Sequence, residues 1–425
     1  MKLRLTLGLL LVTITALAQT TTMIHAGHVL DARKGTWQSD MTVTVVDSRI
    51  KSVENGYKTV PNGVSYIDLK NKWVMPGFTD MHVHMETEYN PHAYISKYVD
   101  DPADVAYSSV KYAEVTLMAG FTTVRDLGGS GINVSLRDAI NKGKLVGPRI
   151  FTAEKSIATT GGHADPTNGS NQKFMGNPGP REGVANSPDE GREAVRHRYK
   201  NGADVIKITA TGGVLSVAKN GSNPQFTIEE IKAITSTAAD YGMHVAAHAH
   251  GDEGMRRAVL GGVKTIEHGT YMSDETMDLM KKMDCYLVPT ITAGKEVAEK
   301  AEVEGFYPAI VVPKAREVGP QIQGMFERAY KRGVPIVFGT DAGVFAHGKN
   351  AKEFGYMVEA GMPAMKAIQS ATITPALILN ETDRIGQLQP GFYADIIAVS
   401  ENPEKNIAIL EQVLFVMKDG VVYKK

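Results

Sequence analysis

The chain has 425 residues, 43% hydrophobic, 22% charged and 7% aromatic, with 46 basic against 47 acidic side chains. A formal charge of -1 lacks the basic excess of a nucleic-acid binder, and the hydrophobic content is too high for a disordered chain. The length suits one large α/β domain with a smaller companion, because a single core stops growing at roughly 250–300 residues.

In chain order, Lys2 and Arg4 precede an apolar run from Leu5 to Ala18, and Ala16-Leu17-Ala18 has the small-x-small form of a cleavage site. Residues 1–18 are expected to be a secretory signal peptide; the run of 14 residues falls short of the roughly 20 that span a bilayer. Its removal leaves 44 basic against 47 acidic side chains and predicts a periplasmic or secreted protein with no membrane anchor. The single cysteine, Cys285, excludes an intramolecular disulfide framework and a cysteine-rich zinc site. Its setting, Cys285-Tyr-Leu-Val-Pro289, reads as a buried strand.

Residues 19–77 carry short alternating runs such as Met41-Thr-Val-Thr-Val-Val46, and residues 384–425 carry Ala394-Asp-Ile-Ile-Ala-Val399 and Val413-Leu-Phe-Val-Met417. Neither end can bury a core alone, so the two are expected to meet in one small β-sandwich domain. Between them, residues 78–383 alternate strand-like and helix-like segments, the rhythm of a parallel sheet. Eight strands are predicted: Trp73 to His84, Phe121 to Asp126, Arg149 to Ala153, Ala203 to Thr209, His244 to His248, Lys264 to His268, Cys285 to Thr290 and Pro335 to Asp341. Eight closes a (β/α)8 TIM barrel. Ser187-Pro-Asp-Glu190 predicts a helix start that Asn201-Gly202 ends, and Thr227-Ile-Glu-Glu230 is a capping box. Gly128-Gly-Ser-Gly131 lacks a full phosphate-binding pattern and reads as a tight turn. The stretch from Gly161 to Asn186 is longer than ordinary connections and is expected to be a lid or binding loop.

Twelve histidines are present, and four of them end strands: His82 and His84 the first, His248 the fifth and His268 the sixth. Asp341 ends the eighth strand and Lys207 lies in the fourth. Strand C-termini converge on one face of such a barrel, so these six side chains point at one place. His82 and His84, two apart, project to the same side of a strand. Histidine and carboxylate ligands suit zinc, or manganese or cobalt. Lys207, inside the apolar Asp204-Val-Ile-Lys-Ile208, is costly to bury charged and is expected to shift towards the neutral amine, which can take up carbon dioxide as a carbamate. Asp341, in Phe338-Gly-Thr-Asp-Ala-Gly343, could bind a metal and accept a proton from an attacking water, the glycines allowing close approach.

The motifs Val74-Met-Pro-Gly-Phe-Thr-Asp-Met-His-Val-His84, Ala203-Asp-Val-Ile-Lys207, His248-Ala-His-Gly251, Ile266-Glu-His-Gly269, Gly339-Thr-Asp-Ala-Gly343 and Gly386-Gln-Leu-Gln-Pro-Gly-Phe-Tyr-Ala-Asp395 together resemble the amidohydrolase superfamily over nearly the whole mature chain. The resemblance implies two divalent metal ions, in this reading zinc. His82, His84 and Asp341 would bind the more buried ion, His248 and His268 the more exposed one, and carboxylated Lys207 would bridge them. Within the superfamily the chain looks most like the imidazolonepropionase-like and Xaa-Pro or Xaa-Arg dipeptidase group, ochratoxin-hydrolysing relatives included. Ala158-Thr-Thr-Gly-Gly-His163 matches that group's strand-three loop, which makes His163, with His250, a catalytic and substrate-binding candidate. The implied activity is metal-dependent hydrolysis of an amide bond in a dipeptide, an N-acyl amino acid or a mycotoxin amide, by a homo-oligomer acting on small molecules. A cyclic amide or amidine hydrolase or deaminase, and an inactive metal-binding periplasmic protein, are the alternatives. His25, His28, His92, His197, His244 and His347 read as surface or packing residues.

Overall fold

The computed structural model describes residues 19–218 and 220–425, so the expected signal peptide, residues 1–18, lies outside the described residues. Among the described residues no helix is long and apolar enough to cross a membrane.

Strands β1 (Thr21–Asp31), β2 (Thr36–Val46), β3 (Arg49–Asn55) and β4 (Ser65–Pro76) begin the chain. The parallel strands of the centre are β5 (Phe78–Val83), β6 (Phe121–Asp126), β7 (Arg149–Thr152), β8 (Ile206–Thr209), β9 (Val245–Ala249), β10 (Thr265–His268) and β11 (Tyr286–Val288). The chain ends on β12 (Ile396–Val399), β13 (Phe415–Lys418) and β14 (Val421–Lys424). The first four and last three form one seven-stranded sheet in the order β14-β13-β12-β4-β1-β2-β3, joined where β12 runs antiparallel to β4. That sheet curls so that its β3 edge meets the segment leading into β12: Ile50 N–H donates to Phe392 O at 2.9 Å, and Arg49 and Tyr393 form a bridge. Inside the curl Ile24, Val43, Val74, Ile396 and Ala398 are fully buried, the alternate-face packing of a small sandwich.

The predicted first strand, Trp73 to His84, is two strands. Gly77 divides them, because a Cβ there would lie 2.1 Å from Thr122 Oγ1, and its N–H donates to Asp395 O at 2.9 Å. The chain therefore leaves the terminal sheet and enters the barrel at one residue. Barrel closure is also less regular than the sequence predicts. Pro335 to Asp341 forms no continuous ladder, only bridges from Ile336 to Leu287 and from Ala342 to Val83. Two of its donors are diverted, Phe338 N–H to Ser370 O and Thr340 N–H to the Asp80 carboxylate, which also accepts from the Thr340 hydroxyl, while Val337 and Asp341 N–H still reach Leu287 O and His82 O. Between β7 and β8, Ile157 bridges to Ile208 and completes the ring.

The helix starts agree with the sequence. Helix Pro188–Lys200 is capped by Ser187, and helix Ile228–Asp240 by the reciprocal pair Thr227 and Glu230. In the glycine-rich turn the Glu86 carboxylate accepts from Ser130 and Asn133 N–H, both at 2.7 Å. The donors that a phosphate would need are thus already occupied. Cys285 is fully buried beside β11.

Candidate active site

The C-terminal ends of the barrel strands surround a cavity of about 250 Å³. His82, His84, His163, Lys207, His248, His250, His268 and Asp341 all line it, so every candidate named from the sequence comes to one place. Two of them depend on unusual backbone: His268 and Asp341 have φ of 73° and 62°. A left-handed residue at a strand end turns its side chain across the mouth, strain of the kind that folds retain at functional sites. Glycines let the layers approach. A Cβ on Gly339 would lie 3.0 Å from His82 N, and one on Gly343 would lie 2.8 Å from His84 O.

On the β5 side, Asp341 Oδ1 lies 3.4 Å from His82 Nε2 and 3.3 Å from His84 Nε2, and Lys207 Nζ lies 3.3 Å from His82 Nε2. His84 Nδ1–H donates to Gly128 O at 2.7 Å, which leaves its Nε2 lone pair to the centre. On the other side, His248 Nε2–H donates to Gly212 O at 2.9 Å, while Nδ1 of His268 pairs with Thr290 Oγ1 and Nδ1 of His250 with Thr270 Oγ1. His163 stacks on His248 with centroids 4.3 Å apart, and its Nδ1 is buried without a partner. Ligand atoms of His82, His268 and Asp341 lie within 4.8 Å of one another, as do those of His248, His250 and His268.

Burial sets the protonation states. It pulls His82, His248 and His268 well below the ordinary imidazole value, helped by neighbouring cationic groups, and takes His163 to about 3 and His250 to about 4. These rings are neutral near pH 7, the form in which imidazole binds a cation. Burial lowers Lys207 to about 8, while the neighbouring carboxylates oppose that shift. Burial opposes the Asp341 carboxylate, yet His82, His84 and Lys207 outweigh it and hold its pKa below the usual value. The set fits divalent cations, because neutral imidazoles and a carboxylate converge with Asp341 Oδ1 buried and short of a hydrogen-bond donor.

Two buried charges escaped the sequence reading. Glu267, fully buried on β10, lies with Oε2 2.9 Å from His82 Nδ1, and Arg125, fully buried on β6, donates to Glu267 Oε1 at 2.9 Å. His244 lies outside the cavity lining, and its Nε2 lies 3.0 Å from Arg125 Nη1. The argument that singled out Lys207 would have found Arg125, a cation inside the apolar Phe121-Thr-Thr-Val-Arg125. His347 is buried against Tyr112 outside the cavity wall.

Residues 73–423 match the amidohydrolase family. Ochratoxinase of Aspergillus niger is 32% identical over 377 residues, covering 83% of this chain and 75% of that protein. The crystal structure of a Xaa-Pro dipeptidase with methionine bound in its active site is 53% identical with a TM-score of 0.93, covering 96% of this chain and 100% of that one. A prolidase complexed with N-methylphosphonate-L-proline is 31% identical with a TM-score of 0.85, over 96% and 100% of the two chains. The barrel with its terminal β-sandwich and the cluster at its mouth thus occur in a chain that is a hydrolase of carbon–nitrogen bonds and belongs to the amidohydrolase family.

Proposed function

We propose that the protein hydrolyses the amide bond of dipeptides or N-acyl amino acids with two divalent cations, zinc in the first instance. The supporting observation is the convergence of imidazoles, Lys207 and Asp341 on a cavity whose remaining wall is largely apolar. His82, His84 and Asp341 would hold one ion and His248 and His268 the other. Lys207, whose neutral amine can add carbon dioxide and release a proton to give a carbamate, would be a further ligand. Bound cations supply Lewis-acid polarisation of the scissile carbonyl and lower the pKa of the attacking water.

The chain's own residues do the rest. Asp341 keeps Oδ1 buried against His82 and His84, and its Oδ2 accepts the water proton and returns it to the leaving nitrogen. With the Thr270 hydroxyl donating to Nδ1, His250 presents Nε2–H to the substrate carbonyl oxygen. His163, with its Nδ1 unpartnered, is the second polar contact. Val214, Leu215, Val297, Val318, Ile322 and Val344 form the apolar wall, which favours an apolar substrate side chain over a charged one. The Lys314 ammonium near that wall is already held by the carbonyls of Gly213, Ser216 and Ala218. Export by the leader at residues 1–18 would place the reaction in the periplasm or outside the cell.

The test is mass spectrometry of zinc-loaded protein incubated with dipeptides, N-acyl amino acids, ochratoxin and cyclic amides. Split products gaining one water support the reading. Ring opening or ammonia loss alone would transfer it to the cyclic-amide reaction, and no turnover across the panel would leave an inactive metal-binding protein.

A further inference from the structure

A buried ion pair lies beneath the histidine cluster and takes no part in the reaction described above. Thr265 and Glu267 lie two apart on β10, whose interior-facing positions alternate with Ile266. Glu267 Oε1 accepts from Arg125 Nη2 and from the Thr265 hydroxyl. Arg125 is fixed in turn: its Nε donates to Met81 O at 2.7 Å, and its Nη1 donates to His244 Nε2. A guanidinium cannot accept a proton, so His244 must accept and is neutral, in agreement with burial and Arg125 lowering its pKa to about 3. The other polar groups of the pair are thus engaged, and Glu267 Oε2 lies 2.9 Å from His82 Nδ1, a close charge contact in which neither atom has an aligned hydrogen-bond partner.

We infer that Glu267, locked by Arg125, is a positioning residue that fixes the proton of His82 on Nδ1 and so aims the Nε2 lone pair at the ion held with His84 and Asp341. The inference rests on the metal reading above. A carboxylate can only accept, so its negative charge 2.9 Å from Nδ1 favours the tautomer that carries the proton there. The Nε2 atom that faces Lys207 and Asp341 is then the lone pair, made more basic by the anion behind the ring. His82 alone sets its second ring nitrogen against a carboxylate, whereas His84, His248, His250 and His268 are hydrogen-bonded to carbonyl or hydroxyl oxygens. Neutral Arg125–Glu267 pairing also explains how the barrel holds that carboxylate in a dry interior.

Glu267→Gln tests the inference, because Arg125 would claim the amide oxygen and turn the NH2 towards Nδ1. His82 would then accept at Nδ1 and carry its proton on Nε2, the wrong atom for a ligand. Zinc competition titrations of the full chain should show one of two ions weakened roughly 10- to 100-fold. Nitrogen NMR of histidine-labelled, zinc-free protein should show one ring changing tautomer. Thr265→Val, which removes a hydroxyl bonded to Arg125 Nη2 and Glu267 Oε1 and leaves Oε2 in place, should keep zinc affinity within about twofold of wild type. Should the single variant not fold, Arg125→Met with Glu267→Gln removes both buried charges, and this double variant should still bind one ion weakly. Unchanged zinc affinity and tautomer in Glu267→Gln or in the double variant would overturn the inference, as would equal weakening by Thr265→Val. Wild-type protein that binds no zinc would instead overturn the metal reading itself.

Discussion

The two halves of the histidine cluster are built from different physics. On the β5 side His82 stands between the carboxylates of Asp341 and Glu267, with Lys207 and Arg125 as counter-charges. Across the cavity His248, His250 and His268 rest on Gly212 O, Thr270 Oγ1 and Thr290 Oγ1, and no carboxylate faces them in these pairs. The first half can balance its charges internally. The second gathers neutral imidazoles that burial and mutual proximity prevent from protonating, an arrangement that a cation relieves. The difference separates a charged side, built by β5, β8 and Asp341, from a neutral side built by the ends of β9 and β10.

The largest expected effect comes from breaking the charged half at its centre. Asp341→Asn should lower kcat by about 10²–10⁴-fold while zinc content measured by elemental analysis stays near wild type, since the amide can still coordinate but cannot take the proton. Full turnover in this variant would remove Asp341 from the chemistry. Lys207→Ala comes next: it deletes the proposed carbamate ligand, and zinc retained after dialysis should fall by at least about half. Added bicarbonate should restore nothing in this variant. His163→Ala should leave zinc content unchanged and lower kcat/KM by roughly 10-fold, the loss of one polar substrate contact. Loss of zinc instead would move His163 from the substrate to the ligand set.

Much of this comparison was readable from the chain itself. The strand-end histidines, Lys207 and Asp341 stood out because a parallel barrel turns strand termini into a common address, so order along the sequence became proximity in space. The β segments at both ends were readable from period-two alternation, and β12 pairing with β4 is how they join. What the sequence concealed were features set by competition for backbone donors. The last strand is broken because Asp80 and Ser370 claim hydrogen bonds of Thr340 and Phe338, a long-range effect that local propensity does not encode. Glu267 was hidden by its neighbour: on an ideal strand adjacent residues face opposite ways, and only the positive φ of His268 lets both serve the interior.

The smallest expected effect tests the neutral half. Thr290 is itself left-handed, with φ of 50°, and its hydroxyl meets His268 Nδ1 at 2.7 Å. Valine is nearly isosteric and equally β-branched, so Thr290→Val adds little new backbone strain and deletes only the hydroxyl. A neutral hydrogen bond is worth about 1 kcal/mol, so zinc affinity should fall roughly fivefold, less than for Glu267→Gln, with the loss on the other ion. Competition titrations of the two variants side by side decide whether the halves are distinct. Equal losses at the same ion would mean that the carboxylate behind His82 does nothing that a hydroxyl behind His268 does not, and the division of labour across the cavity would fall.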